Sequence, residues 1–220
     1  MKIKFLVFAG FFIPFFSLSQ VPVSKEPLHH NVLDNGHVRL LDVHIPSGDT
    51  SLFHIHETPS VFLILTDANT GSQVISEEDR SKSPIKYYGN IWFEGFYLKS
   101  RIHRVFNNDQ HEFHVMDIEL TNKNYKVIDS PLRQVSFSFL FEEKPVRAYR
   151  LNLYLGSKIS IQARRGDILT ILLSDSVSSV LVNKKSFSLK GDFIYIPSGE
   201  NISFINSGTE KAEFAFFELK

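Results

Sequence analysis

The sequence predicts an all-β protein of the antiparallel sandwich or barrel type, present as two copies of one unit. After Gln20, short runs rich in Val, Ile, Phe and Tyr follow one another, and several alternate between apolar and polar residues as half-buried strands do. Turn-forming residues separate these runs, and no stretch keeps the apolar period of a substantial α-helix. Parts of the pattern recur in the second half of the chain.

The predicted strands follow one another with short spacings. In chain order they are residues 38–45, 61–65, 91–98, 113–120, 135–141, 146–155, 167–173, 193–196 and 211–219. Turn sequences such as Pro46-Ser47-Gly48 and Asn107-Asn108-Asp109 lie between them. Many short strands at this spacing favour an antiparallel sandwich or barrel.

Two blocks of residues carry the repeat. Gly48 recurs as Gly156, 108 positions later, and the same offset relates Val38, Arg39, Leu41, Val43 and Ile45 to Val146, Arg147, Tyr149, Leu151 and Leu153. Asn107 recurs as Asn206, 99 positions later, and that offset relates Phe96, Glu119 and Leu120 to Tyr195, Glu218 and Leu219. The shorter second offset predicts a longer surface loop around residues 76–86 of the first copy.

Composition excludes several classes of function. The chain has 220 residues, 43% hydrophobic and 22% charged, which suffices for one large domain or two small ones. Basic and acidic residues both number 24, so no net charge attracts nucleic acid over a distance. The absence of cysteine excludes thiolate sites, so nitrogen and oxygen must hold any metal.

Residues 1–19 have the pattern of a secretion signal. Two lysines precede an apolar run over residues 5–16, and small residues stand before Gln20 as a cleavage site. The run is shorter than the roughly 20 apolar residues that cross a bilayer, and a proline interrupts it. We therefore expect an exported protein, periplasmic or secreted, without a membrane span. Its mature chain is expected to contain units at residues 20–125 and 130–220.

The first copy carries a histidine pattern. Gly48 is followed by five residues and then by His54-Ile55-His56, and three residues separate His103 from Asn107. Because residues two apart on a strand share a face, His54 and His56 should present two imidazoles side by side toward a barrel interior. In this interpretation His103 adds a third imidazole from a neighbouring strand.

Three neutral imidazoles suit Fe, Mn, Ni, Cu or Zn and leave open positions for water or substrate. The pattern predicts one divalent transition metal ion, Fe, Mn, Zn or Ni, held by His54, His56 and His103. The alternative is that these are ordinary polar side chains on the wet face of a half-exposed strand.

These residues resemble the two motifs of the cupin superfamily over nearly all of the mature chain. The second copy has the glycines, proline and asparagine of the later motif at Gly191, Pro197, Gly199 and Asn206. In the first copy Leu98 and Ser100 stand where that motif has proline and glycine. The resemblance implies a bicupin, that is, two tandem jelly-roll β-barrels.

The second copy lacks the histidines. By the two offsets, the places of His54, His56 and His103 are taken by Gln162, Arg164 and Ile202. We therefore expect the second unit to be a scaffold or a metal-free pocket. Arg164 could serve an anion site there, with a solvated arginine as the more ordinary alternative.

The glutamate that cupins carry after His-x-His is missing from its place, where Ser60 stands. Glu57 is adjacent to His56, and strand alternation sends it to the opposite face. Glu94 is the better candidate, because the second copy has Phe193 there and the fold itself needs no acid. We predict that Glu94 is a metal ligand or general base, with an ion pair to a surface lysine as the alternative. A site of three histidines without a protein carboxylate is a further alternative.

Other polar residues are weaker candidates. Arg101 lies two residues before His103 and shares its face, where a guanidinium would hold a substrate carboxylate; a surface salt bridge is the alternative. Asp42 and His44 share a strand face that we interpret as solvent-exposed. The aromatic residues expected in the core are Phe62, Trp92, Phe96 and Phe106.

Three classes of function are compatible with these residues. An open nitrogen- and oxygen-ligated site predicts a metal-dependent enzyme, such as a dioxygenase or isomerase, acting on a small organic molecule. The missing glutamate favours a non-catalytic protein that binds a small molecule. The loss of histidines in the second copy favours a structural bicupin. In each case we expect neither nucleic acid nor membrane as a partner, and oligomeric state is not predicted.

Overall fold

The computed structural model describes residues 20–75, 81–82 and 85–220. Strands dominate these residues, and the only helical segment among them is a 3₁₀ turn at Val23–Lys25. Within the described ranges, no helix has the length and apolar character needed to cross a membrane. The predicted secretion signal and part of the predicted long loop lie outside the described residues.

The first half of the described chain forms two sheets. Its strands are Val21–Pro22 (β1), His29–Asp34 (β2), Arg39–Ile45 (β3), His54–His56 (β4), Ser60–Ile64 (β5), Thr70–Val74 (β6), Ser81–Lys82 (β7), Ile91–Glu94 (β8), Arg101–Asn107 (β9) and Phe113–Glu119 (β10). The strand orders are β1-β4-β9-β6-β7 and β2-β3-β10-β5-β8. Neighbours are antiparallel except for β1 beside β4.

The second half repeats this arrangement without a counterpart of β1. Its strands are Phe137–Glu142 (β11), Val146–Leu153 (β12), Lys158–Ile161 (β13), Asp167–Leu172 (β14), Ser176–Val182 (β15), Lys185–Leu189 (β16), Phe193–Ile196 (β17), Ile202–Asn206 (β18) and Ala212–Leu219 (β19). The strand orders are β11-β12-β19-β14-β17 and β13-β18-β15-β16. Each position in these sheets therefore has an equivalent strand in the first half.

The predicted all-β fold class is confirmed, and the structure differs from the prediction in several details. In each half the two sheets are open and form a jelly-roll sandwich rather than a closed, hydrogen-bonded barrel. The predicted strand at residues 91–98 is too long, because β8 ends at Glu94 and Phe96 adopts a positive φ of 51° that extended strands do not have.

Two asparagines hold equivalent junctions in the two halves. Asn107 Nδ2 donates to the carbonyl of Ile45, and Asn206 Nδ2 donates to that of Leu153, both at 3.0 Å. Both asparagines are buried. Because a buried carbonyl needs a donor, this shared task accounts for the asparagine repeat in the sequence.

Strand pairing corrects one detail of the repeat. In the first half Thr50 lies opposite Phe106 and His54 lies opposite His103. The chain advances four residues from Thr50 to His54 but only three from His103 to Phe106, so there is one extra residue before His54. Strands β13 and β18 pair without this extra residue. The structural counterparts of His54 and His56 are therefore Ile161 and Ala163, not the predicted Gln162 and Arg164.

The two halves share an apolar core. On β3, Leu41, Val43 and Ile45 point into the first half, whereas Leu40 points toward the second. The shared core includes Leu40, Val61, Leu63, Met116 and Ile118 from the first half and Ala148, Leu169, Ile171, Ala215 and Phe217 from the second. The predicted division between residues 125 and 130 falls between β10 and β11, and two separate units stay a prediction.

Candidate metal centre

A cavity of about 110 Å³ lies between the two sheets of the first half. Its apolar wall is formed by Val43, Ile45, Phe62, Trp92, Phe113 and Val115. Its other wall comes from β4, β6 and β9 and is polar. The equivalent space in the second half is filled by fully buried rings, among them Tyr149, Phe204, Phe214 and Phe216.

Three histidines meet in this cavity, as the sequence predicts. His54 on β4 and His103 on β9 are cross-strand partners, and His56 lies two residues along on the same face. Their ring centroids are 4.7 to 5.1 Å apart, and one ligating atom from each lies within 4.8 Å of the others. All three are buried, with exposed fractions of 1%, 4% and 8% for His54, His56 and His103.

Hydrogen bonds orient two of these rings. His54 Nδ1 lies 2.9 Å from the carbonyl oxygen of Leu52, which only accepts, so Nδ1 carries the proton and Nε2 has the free lone pair. His103 Nδ1 lies 2.9 Å from Ser72 Oγ, and its Nε2 is buried without a hydrogen-bond partner among the described residues. A metal ion would provide the partner that this buried nitrogen lacks, so the three histidines fit a metal site.

Asp117, which the sequence reasoning missed, lies beside the third ring. Its Oδ2 is 3.5 Å from His56 Nδ1, and neither atom has a hydrogen-bond partner within the described ranges. Burial, aided by the charge of Glu119, raises the pKa of the Asp117 carboxyl well above its ordinary value. A signal was available, because the offset of 99 places the buried ring of Phe216 at this position.

The three imidazoles are neutral at physiological pH. Burial lowers the pKa of His54 to about 3 and that of His56 to about 2, and neighbouring imidazoles and Arg101 add to the effect. The pKa of His103 is lowered by the same causes. Because metal coordination requires neutral imidazole, burial in the cavity keeps these side chains in the form that binds a metal ion.

Glu94 and Arg101 both line the cavity, and the structure pairs them with each other. Arg101 Nη1 lies 3.4 Å from Glu94 Oε2, and Trp92 Nε1 donates to Glu94 Oε1 at 3.1 Å. Glu94 is also the cross-strand partner of Ser60, the residue at the place of the missing cupin glutamate. Its ion-pair partner is therefore Arg101 and not a surface lysine. The catalytic roles of both residues stay predictions.

Aromatic rings and a lysine complete the wall. Phe96 stacks on His56 at 5.4 Å between centroids, and Phe62 meets the same ring edge-on at 5.7 Å. Lys86 Nζ lies 4.8 Å from the centroid of the Trp92 ring. Phe62 and Trp92 line the cavity and Phe96 packs on His56, so these three aromatics, expected in the core, also surround the site. Trp92 in addition packs against the apolar core of the first half.

A fourth imidazole, also missed from the sequence, borders the triad. The His29 ring lies 4.7 Å from that of His54, and its Nδ1 is 3.0 Å from the carbonyl oxygen of Val23. His29 is not part of the group whose ligating atoms lie within 4.8 Å of one another. It therefore supports His54 by packing rather than completing the triad.

The second half has none of this chemistry at the equivalent positions. Ile161 and Ile202 face each other where His54 and His103 do in the first half. Arg164, considered as an anion site, instead places Nε 2.6 Å from Glu218 Oε1, and this carboxylate is buried. Its role in the fold is that of an ion-pair partner.

No protein-family model and no curated protein matches the sequence. A cupin 2 conserved barrel domain protein from Leptotrichia buccalis is similar in structure, with a TM-score of 0.53 and 11% identity over 93% of this chain and 100% of that one. The protein has a cupin fold.

Two further structural neighbours have comparable scores. AerE from Microcystis aeruginosa matches with a TM-score of 0.58 and 10% identity, over 89% of this chain and 98% of that one. Salicylate 1,2-dioxygenase from Pseudoaminobacter salicylatoxidans, in a structure of its adducts with gentisate, matches with a TM-score of 0.56 and 10% identity, over 85% and 70%. At this identity the likeness establishes the cupin fold, and function must be argued from the site.

Proposed function

We propose that this protein is an exported, metal-dependent cupin enzyme that acts on a small organic anion. The observation that carries the proposal is the convergence of three buried, neutral imidazoles in a cavity of the first half, while the second half fills the same space with rings. A fold that needed only to be stable would fill both spaces. The difference supports a site in the first half.

His54, His56 and His103 would hold one divalent transition ion in this site. Such an ion supplies Lewis acidity and open coordination positions for chemistry of the dioxygenase or isomerase type. Asp117 would orient His56 through its Nδ1, as a carboxylate next to a ligating histidine often does. The dioxygenase among the structural neighbours is consistent with this reaction class.

The charges of the cavity wall support an anionic substrate. Lys86 and Arg101 place two cationic groups at the cavity, against the ion-paired carboxylate of Glu94 and the Asp117 carboxyl, whose pKa burial raises toward the neutral form. Burial and the charge of Arg101 lower the pKa of Lys86, so an anion there would relieve the repulsion between the two cations. Apolar walls at Phe62 and Trp92 suit the hydrocarbon part of the molecule.

The ion pair between Arg101 and Glu94 gives the two residues linked roles. A substrate carboxylate that binds the Arg101 guanidinium competes with Glu94 for the same donors. Glu94, which lines the same cavity as the triad, is then released to accept a proton from the substrate. Substrate binding would thereby free the general base.

Turnover tests this function directly. Mature, untagged protein loaded with Fe²⁺ or Mn²⁺ is offered a panel of small aromatic and aliphatic carboxylates, with the matching amides as neutral controls. Oxygen uptake and NMR report dioxygenation and isomerisation. We expect turnover of a carboxylate but not of its amide, and a loss of at least tenfold in Arg101→Ala but not in Lys99→Ala. Binding of a carboxylate without turnover would contradict the enzymatic function.

Export is the second part of the proposal. It is supported by the lysines, apolar run and small residues of residues 1–19. Expression of the full chain, followed by fractionation and N-terminal sequencing, is the appropriate test. We expect the extracytoplasmic protein to begin near Gln20, and a cytoplasmic chain that retains Met1 would contradict export.

A further inference from the structure

A second cluster of metal-ligating side chains lies on the outer face of the sheet that forms the apolar cavity wall. Asp42 and His44 lie on β3, and His114 lies on β10. Strand alternation directs them away from Val43 and Val115, which line the cavity. One ligating atom from each of the three lies within 4.8 Å of the others.

The two histidines of this cluster point at one oxygen. His44 and His114 are direct cross-strand partners, and their rings stack at 4.1 Å with an interplanar angle of 23°. Asp42 Oδ1 lies 2.6 Å from His114 Nε2 and 3.2 Å from His44 Nε2. The ε edges of both rings and the carboxylate therefore converge on a single point.

A further carboxylate orients one of these rings from behind. Glu112 Oε1 lies 2.8 Å from His44 Nδ1, so this nitrogen is the donor and Nε2 is turned toward Asp42. Metal-ligating histidines commonly give their second N–H to a carboxylate in this way, which fixes the tautomer and raises basicity. Without an ion, His44 Nε2 and His114 Nε2 both face the Asp42 carboxylate as donors, so a metal ion that binds here displaces protons from both rings.

The second half shows that the fold does not require these residues. The repeat offsets place Arg150, Asn152 and Glu213 at the positions of Asp42, His44 and His114. There Arg150 Nη1 and Glu213 Oε2 form an ordinary ion pair at 3.8 Å. Strand pairing therefore does not explain why the first half has imidazoles at His44 and His114.

The cluster is open enough for an ion to enter. The side chains of His44, Asp42 and His114 are 31%, 25% and 12% exposed, so water can reach the convergence point. Tetrahedral donor atoms at about 2.0 Å from a zinc ion lie about 3.3 Å from one another. The 2.6 Å contact between Asp42 and His114 must therefore open by about 0.7 Å, which a side-chain rotation supplies.

We propose that Asp42, His44 and His114 form a second metal site, which takes a divalent late transition ion such as Zn²⁺. The two Nε2 atoms and the Asp42 carboxylate are the protein ligands, and water completes the coordination. The ion links β3 to β10 next to the second half, where a Cβ built on Gly191 would lie 3.5 Å from His114 Cε1. It therefore stabilises the junction of the two halves, independently of any catalysis in the cavity.

Zinc stoichiometry tests the proposal. Metal-free, untagged mature protein is titrated with ZnCl₂ by equilibrium dialysis and calorimetry. We expect two ions per chain in the wild type, one in Asp42→Asn/His44→Gln, one in His54→Ala/His103→Ala, and none in the combination of all four changes. His111→Gln serves as the control, because this exposed histidine belongs to neither cluster.

Stability supplies a readout that does not depend on activity. Zinc should raise the thermal midpoint of His54→Ala/His103→Ala, because an ion that binds only the folded state stabilises it. It should not do so once Asp42 and His44 are also changed. His44→Asn, which copies the residue of the second half, keeps the test available if the double variant does not fold. An ion count in Asp42→Asn/His44→Gln equal to that of the wild type, or an equal loss in His111→Gln, would overturn the proposal.

Discussion

Replacing Asp117 with asparagine removes the carboxylate beside His56 and preserves the side-chain volume. His56 Nδ1 lies 3.5 Å from Asp117 Oδ2, and neither has another partner among the described residues. Loss of such a carboxylate typically lowers metal affinity by about 10- to 100-fold. This corresponds to roughly 1.4 to 2.7 kcal/mol of binding free energy.

The same change should not weaken the metal-free protein. Both Asp117 oxygens are buried without partners, and burial raises the pKa of the carboxyl. The folded state therefore binds this proton more tightly than the unfolded state, so the wild type loses stability as pH rises above the unfolded value near 4. Asp117→Asn lacks this titration, and its stability should fall less between pH 4 and pH 7.

Two measurements check the prediction. Competition titration with a zinc indicator gives the affinity of the triad in an Asp42→Asn/His44→Gln background, and urea unfolding of the metal-free protein gives stability across pH. The matched control is Asp49→Asn on the exposed surface. Affinity within twofold of the unchanged protein, or a clear loss of metal-free stability at neutral pH, would refute the role of Asp117.

Three further substitutions test other parts of the site. His103→Ile introduces the residue that the second half has at this position, and it should abolish metal binding at the triad. The unfolding free energy of the metal-free protein should fall by no more than about 1 kcal/mol, because the change removes a buried nitrogen without a hydrogen-bond partner. Gly71→Ala should cost about 1 to 3 kcal/mol, because the new Cβ would lie 2.0 Å from the Phe106 ring, and urea unfolding measures the loss. Glu94→Gln should lower turnover at least tenfold with little change in melting temperature, and unchanged turnover would contradict a general base at this position.

The triad could be predicted because short sequence spacings identify its histidines. The His54-x-His56 spacing and strand alternation place two imidazoles on one face, and the asparagine repeat aligns His103 with them. Asp117 was missed, although the repeat offset places Phe216 at its position, because the acid itself does not show which residue faces it across the sandwich. The extra residue before His54 was also hidden, since only the pairing of β4 with β9 shows it.

The alternation of apolar and polar residues and the turn sequences predicted the fold class. They did not predict the short polar strands. Strands β4, β6 and β9 carry histidines, serine and arginine toward the cavity, so their sequences lack the apolar pattern by which strands are found. The pairing of Glu94 with Arg101 likewise depends on the end of β8 at Glu94. The equivalent strands of the second half, β13, β15, β16 and β18, were not predicted either, so functional residues alone do not account for the missed strands.

Metal content of the mature protein, purified without a histidine tag, tests the central claim most directly. The measurement is made by inductively coupled plasma mass spectrometry in an Asp42→Asn/His44→Gln background, with and without His54→Ala/His103→Ala. We predict one transition ion per chain when the triad is intact and none when it is removed, with both proteins folded. Equal metal content in the two proteins, or none in either after incubation with Fe²⁺, Mn²⁺, Zn²⁺ and Ni²⁺, would contradict a metal centre at these three histidines.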